Sequence, residues 1–257
     1  MRMEDEVALV TGSTAGLGRE IAGLFAREGA RVVVTGRNQD RGSAVVAEIE
    51  SHGGTACFLA GDLADESVCA QLVASTVDRF GVLTVLVNNA VSVNVDRTDG
   101  PVTSVDTATW EATLRVNLLA VAWLCRAAIP EMRRAGHGAI VNVSSKAAVR
   151  GTPGLAAYSA SKGALEALTR SIAMDHAADN VRCNAIGLGY VLNERRDANL
   201  DDERRARLAD MHLTRVGTAS DGAFAALYLA SRESEFVTGI TLPVDGGSTT
   251  ARARRLG

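Results

Sequence analysis

At 257 residues the chain has the length of one α/β domain with a sizeable core. Hydrophobic residues make up 47% and charged ones 22%, and 30 acidic against 27 basic residues leave a net charge of −3. That balance argues against a chain-wide electrostatic grip on nucleic acid or on an anionic membrane, and aromatics at 4% are too sparse for base-stacking platforms.

The cysteines (Cys57, Cys69, Cys125, Cys183) and histidines (His52, His137, His176, His212) show no metal-ligand spacing. They read as buried thiols and surface imidazoles, with no metal expected. The acidic Glu4-Asp5-Glu6 ahead of the first apolar strand does not fit a secretory signal, so a cytoplasmic setting is expected. The strongly apolar run 118–125 is short of the roughly 20 residues of a membrane span.

In chain order, short Val/Ile/Leu-rich segments at 7–11, 31–35, 55–60, 83–87, 139–143, 181–186 and 241–244 read as strands. Their near-continuous apolar character suits parallel strands covered on both faces. Helix-length stretches alternate with them at 17–28, 39–52, 65–80, 107–134, 157–178 and 219–231. Asp65 before Glu66, and Ser104 and Asp106 before Trp110, are helix-start signals. Pro130 is tolerable in the helix 107–134 only near its end or at a kink. Repeated βα units predict a single-domain, Rossmann-like doubly wound sheet over residues 1–257, about seven parallel strands with helices on both faces. The loop 91–106 and the stretch 189–213 interrupt the alternation, and both follow strand carboxyl ends, where open α/β sheets bind ligands. The charge run 201–207 reads as a solvated helix face.

The first strand runs into Thr11-Gly12-Ser13-Thr14-Ala15-Gly16-Leu17-Gly18, with a helix behind it. Glycines in such a turn permit positive φ and close backbone approach, and the helix N-terminus offers free N–H groups to a pyrophosphate. The spacing is GxxxGxG, not GxGxxG. The second strand ends in Gly36-Arg37-Asn38 with no acidic residue before Asp40. An acid at that strand end suits the ribose 2′-OH of NAD, whereas Arg suits the 2′-phosphate of NADP. NADP(H) is therefore favoured over NAD(H).

Tyr158-Ser159-Ala160-Ser161-Lys162 puts a phenol and an ammonium at i and i+4 on one helix face. Tyr has a pKa of about 10, and a nearby cation favours its phenolate, which makes it a usable acid–base group. Among the 27 basic residues only Lys146 and Lys162 are lysines, so Lys at this place is not compositional drift. Just past the fifth strand, Ser145 carries a hydroxyl able to donate to a carbonyl oxygen. Asn117 sits within an apolar helix, where a buried amide needs partners.

Together these motifs resemble the short-chain dehydrogenase/reductase family of the roughly 250-residue type, over nearly the whole chain. Its TGxxxGxG stands at Thr11 to Gly18, its adenine-contacting Asp as Asp62 in Gly61-Asp62-Leu63, and its NNAG as Asn88-Asn89-Ala90-Val91. Its catalytic Asn-Ser-Tyr-Lys set falls on Asn117, Ser145, Tyr158 and Lys162, and Asn184 and Asp245-Gly246-Gly247 also match. The resemblance implies hydride exchange between a nicotinamide nucleotide and a ketone or secondary alcohol. Tyr158 would be the proton donor or acceptor, Ser145 would polarise the carbonyl, and Lys162 would lower the Tyr pKa and bind the ribose. Asn117 would hold a water linking Lys162 to solvent. Cofactor contacts would extend to Leu63, Asn89, Ala90, Val91, Gly189, Val191 and Asn193, alongside those of Tyr158 and Lys162. Three departures stand out: Val91 for Gly, Leu188 for Pro, and Asn193 for Thr.

Val93, Leu155, Tyr190 and Leu192 would wall an apolar substrate pocket, and Lys146 would steer an anionic group if it is not simply solvated. The reaction expected is that of a carbonyl reductase or 3-oxoacyl reductase-like enzyme. The alternatives are an NAD-dependent alcohol or dihydrodiol dehydrogenase, and a catalytically silent nucleotide-binding regulator. The family resemblance also implies a homotetramer or homodimer built on the two long helices.

Overall fold

The computed structural model describes residues 1–92, 98–193 and 197–250. The strands are β1 (Val7–Val10), β2 (Arg31–Gly36), β3 (Thr55–Ala60), β4 (Val85–Asn88), β5 (Gly138–Ser145), β6 (Val181–Leu188) and β7 (Thr241–Val244). They form one seven-stranded sheet in the order β3-β2-β1-β4-β5-β6-β7, and every pairing is parallel. The expected fold is the observed one. Strand order reverses between β1 and β4, so the loops after these two strands flank the crevice where such sheets take ligands.

Side chains alternate along each strand, which assigns them to two cores. Ala8, Val10, Val32 and Val34 face a layer made by α1 (Gly16–Arg27), α2 (Gln39–Ser51) and α8 (Ala219–Ala230), through Ile21, Phe25, Ile49 and Leu227. Leu9, Val33, Leu86 and Ile140 face the opposite layer of α3 (Glu66–Phe80), α5 (Ala120–Ala135) and α6 (Ala156–Asp175). Burying one such Phe or Leu side chain contributes about 1.5–3 kcal/mol. At Gly42 of α2 an added Cβ would lie 2.1 Å from the Phe58 ring, so only glycine lets that helix close on β3.

The helix expected over 107–134 is interrupted. α4 (Thr107–Leu114) passes through a π-turn at Arg115–Leu119 into α5, and this break in α-geometry falls well before Pro130, which stands inside α5. As one run, Thr107–Ala135 is long and apolar enough to cross a bilayer by length and composition, more than the run 118–125 suggested. In this fold its stripe of Val121, Leu124, Ala128 and Met132 packs against the sheet. Asp65 and Asp106 cap α3 and α4 as expected, accepting from Ser67 N at 2.8 Å and Thr109 N at 2.7 Å. The charge run belongs to α7 (Asp202–Asp210), which is exposed except at Leu208. Two small expectations fail: His212 is buried, its Nδ1 bonded to Leu208 O, and Cys57 is only partly buried.

Candidate active site

The phosphate turn is held from beneath. Gly12 and Gly16 have φ of +63° and +54°, a region that L side chains with a Cβ rarely adopt. A Cβ on Gly12 would lie 2.9 Å from Ala90 Cα, and one on Gly18 would lie 2.5 Å from both Gly12 O and Asn89 Nδ2. Asn89 Nδ2 donates to Thr11 O at 2.8 Å and to Gly12 O at 3.2 Å, while Thr11 Oγ1 accepts from Asn89 N and Ala90 N. The NNAV segment therefore clamps the glycine turn. Ser13 is fully buried, donating to Val10 O and accepting from Thr35 N, so its hydroxyl ties β1 to β2. Leu17 packs close to Gly222 of α8.

At the end of β2, a Cβ on Gly36 would stand 2.8 Å from Thr14 Cγ2. Arg37, 60% exposed, lies 3.9 Å from the Asp62 carboxylate. Asn38 caps α2 through Arg41 N at 2.9 Å. Asp62 Oδ1 accepts from Ala64 N, and Leu63 is buried in the core. The end of β2 thus sets Gly36 against Thr14 of the turn and Arg37 near Asp62.

The catalytic candidates gather on β5, the π-turn and α6. Lys162 is 3% exposed, donates from Nζ to Val143 O at 2.7 Å, and sits 5.7 Å from the centroid of the Tyr158 ring. Burial depresses its ammonium to a pKa of about 8. Asn117 is 1% exposed within the π-turn; its Oδ1 accepts from Ser92 N at 3.0 Å and its Nδ2 donates to Ser161 Oγ at 3.1 Å. The extra residue in that turn aims the amide at α6 and at the loop after β4. Ser145 ends β5, its Oγ accepting from Ala147 N at 3.2 Å. Beneath the site, Asn88 Nδ2 donates to Asn142 Oδ1 and Asn142 Nδ2 donates to Thr169 Oγ1, a buried polar ladder that fixes β4, β5 and α6 together.

The remaining expected residues fall into two groups. Leu188 extends β6 opposite Val244, and Gly189 N bonds to Val244 O. Val191 bridges to Gly217. The Tyr190 hydroxyl donates to Asp197, and Asn193 N donates to the same carboxylate at 2.8 Å. Asn193 Nδ2 lies 2.8 Å from where a Gly16 Cβ would be, so this segment folds over the phosphate turn. Leu192 lines a groove of about 420 Å³ with Gly16, Arg19, Glu48 and Thr218, and none of the four catalytic candidates lines it. Val91 is exposed and Leu155 is half-buried at the start of α6. Lys146 is half-buried, and burial, followed by nearby Arg150, lowers its pKa against a smaller opposing pull from Asp245. Val93 lies outside the described residues.

Sequence reasoning missed Asp99, whose carboxylate accepts from Ala157 N at 3.1 Å and from Tyr158 N at 2.8 Å. It also missed the Asn142–Thr169 pair. Sequence pattern carries no signal for either, because each acts on a partner far along the chain.

A family model described as short chain dehydrogenase matches residues 6–204. The chain is similar to a 3beta-hydroxysteroid dehydrogenase of Mediterraneibacter gnavus, 36% identical with 97% of this chain and 96% of the relative covered. It is similar also to an NADP-dependent (R)-specific alcohol dehydrogenase of Lentilactobacillus kefiri, 38% identical with 96% and 98% covered. A short-chain type dehydrogenase/reductase structure from Mycobacterium ulcerans superposes with a TM-score of 0.92 at 30% identity, covering 98% of this chain and 93% of that one.

Proposed function

The chain belongs to the short-chain dehydrogenase family, and from that premise we propose that it interconverts a ketone and a secondary alcohol using NADP(H). Membership makes it an NAD(P)-dependent oxidoreductase acting on CH–OH groups; the nucleotide preference and the residue roles are the proposal. The observation that carries it is the buried Lys162 ammonium, fixed by Val143 O one helical turn from Tyr158.

The glycine turn and the helix N-terminus behind it fit a dinucleotide, since positive φ at Gly12 and Gly16 and the close packing of Gly12 and Gly18 leave no room for a Cβ and set the turn tightly at that helix start. When bound there, the nicotinamide ring accepts or supplies the hydride. Tyr158 gives its phenolic proton to the carbonyl oxygen in reduction and takes the hydroxyl proton in oxidation. Lys162, charged, favours the phenolate and makes that exchange accessible near neutrality. Ser145 donates a hydrogen bond to the same oxygen as charge develops on it. Asn117 holds Ser92 and Ser161 in register around the pair.

Arg37, exposed at the end of β2 next to Gly36, supports a 2′-phosphate, and the NADP-dependent relative supports the same choice. One observation favours NAD(H) instead: Asp62 already lies 3.9 Å from Arg37 and partly offsets its charge. The steroid-named relative supports a cyclic, apolar alcohol or ketone as the substrate class. We also propose a homotetramer or homodimer built on the two long helices, as the family resemblance implies.

The test is NADPH and NADH oxidation across a panel of cyclic and aromatic ketones, with Tyr158→Phe alongside. Ketone-dependent turnover that falls by about 10²-fold or more in the variant is expected. Equal turnover in both proteins would overturn the reading.

A further inference from the structure

Helix α6 carries Tyr158 and Lys162, yet it starts without a cap of its own. Leu155 at its N-cap position has no hydrogen-bonding side chain, and no acidic residue lies in its first turn. A helix leaves four N-terminal N–H groups to be satisfied from elsewhere. Here Ala156 N donates to Gly100 O at 3.2 Å, and the helix's own bonding begins with Ser159 N to Leu155 O at 3.0 Å. The two between them, Ala157 N and Tyr158 N, both donate to Asp99, one to each carboxylate oxygen. Asp99 Oδ1 also accepts from Gly100 N at 2.9 Å, which fixes the carboxylate on its own backbone.

The cap therefore comes from the loop after β4, far from α6 in sequence. The other end of that loop is tied as well, through Ser92 N to Asn117 Oδ1. Two ends of one loop thus hold two of the catalytic candidates.

Building on the oxidoreductase reading, we propose that Asp99 is a positioning residue. Its two hydrogen bonds hold the first turn of α6, and so the Tyr158 phenol, in line with the reacting oxygen. They also tie the Asp99–Gly100 segment to the start of the catalytic helix. Asp99 touches the backbone of Ala157 and Tyr158 and acts through that first turn. The glycine turn is clamped by Asn89 and Ala90, and none of its hydrogen bonds goes to Asp99.

The test is steady-state kinetics of Asp99→Ala, Asp99→Asn and Tyr158→Phe with thermal melts of each. Asp99→Ala is expected to lower kcat by about tenfold or more, since a displacement on the scale of an ångström costs up to about 10²-fold. Its KM for NADPH should stay within about twofold of wild type, a split that general loosening of the fold does not give. Asp99→Asn retains an acceptor oxygen for Tyr158 N and should restore most of kcat.

An unchanged kcat in Asp99→Ala, a parallel rise in the nucleotide KM, or an Asp99→Asn no better than Ala would each overturn the proposal. If Asp99→Ala does not fold, Asp99→Asn and the shorter Asp99→Ser carry the test. Then kcat must fall in the order Asp, Asn, Ser, and equal values overturn it. The two failures separate: an active Tyr158→Phe removes Tyr158 as the proton donor, whereas a dead Tyr158→Phe beside a fully active Asp99→Ala removes only the role of Asp99.

Discussion

The Lys162 ammonium donates to the Val143 main-chain oxygen at 2.7 Å from a position that water scarcely reaches. Val143 lies on β5 two residues before Ser145, so one hydrogen bond fixes the cation relative to both the hydroxyl donor and the phenol. In the proposed mechanism the arrangement serves proton transfer at the expense of stability. Burial lowers the lysine pKa from its ordinary 10.5 to about 8, which means the folded protein resists the charged form.

Replacing that lysine should therefore separate activity from stability. Between about pH 8 and 10.5 the unfolded chain binds a proton that the folded chain has lost. Stability from this group accordingly rises with pH through that window, and below it the buried cation is a burden of up to about 3 kcal/mol. Lys162→Met fills similar space without charge. It is expected to melt higher than wild type at pH 7, with the difference shrinking above pH 10 and with turnover lost. Differential scanning fluorimetry across pH checks it, and a lower melting temperature at pH 7 would contradict the desolvation argument.

Asn117 makes the opposite prediction. Its amide satisfies Ser92 N–H and Ser161 Oγ inside the protein. Asn117→Ala takes the acceptor from Ser92 N–H and leaves Ser161 Oγ only its bond to Tyr158 O, a loss of about 1–3 kcal/mol in all. Turnover and melting temperature should fall together. Asn117→Asp keeps the acceptor for Ser92 but loses the donor to Ser161, so it should melt between wild type and the alanine variant.

The contrast between these residues shows what the sequence could reveal. The strands were legible because burial on both faces makes them nearly all apolar, as Val7–Val10 and Val32–Val34 show. Tyr158 and Lys162 were legible because helical spacing alone puts them on one face. The π-turn at Arg115–Leu119 was not, since the apolar pattern runs through it and only the partners of Asn117 call for the extra residue. Asp99 was hidden for the same reason: a cap at |i−j| of 59 leaves no local pattern. The reading of Arg37 was incomplete, because its proximity to Asp62 is a tertiary fact.

That proximity sharpens the cofactor prediction. Arg37→Asp removes the cation that would pair with a 2′-phosphate and places a carboxylate beside Asp62. The KM for NADPH is expected to rise by about tenfold or more, the order of one lost charge-assisted contact, while that for NADH changes little or falls. Gly36→Asp is the weaker design, because its Cβ would meet Thr14 Cγ2 at 2.8 Å. Paired kinetics with the two nucleotides decide it, and equal losses for both would show that Arg37 does not read the phosphate.

Gly18→Ala tests the clamp on the phosphate turn. The new methyl group would come within 2.5 Å of both Gly12 O and Asn89 Nδ2. Gly12 is backbone, held at positive φ against Ala90, so the side chain of Asn89 must give way first. Moving it breaks its bonds to Thr11 O and Gly12 O and loosens the turn proposed to hold the nucleotide. Overpacking of this kind costs about 1–3 kcal/mol. Part should appear as a lower melting temperature and part as a nucleotide Kd raised several-fold by fluorescence titration. The catalytic set lies on β5, the π-turn and α6, so kcat at saturating nucleotide should stay close to wild type. A kcat that collapses with the Kd unchanged would mean the turn positions the chemistry as well as the phosphate.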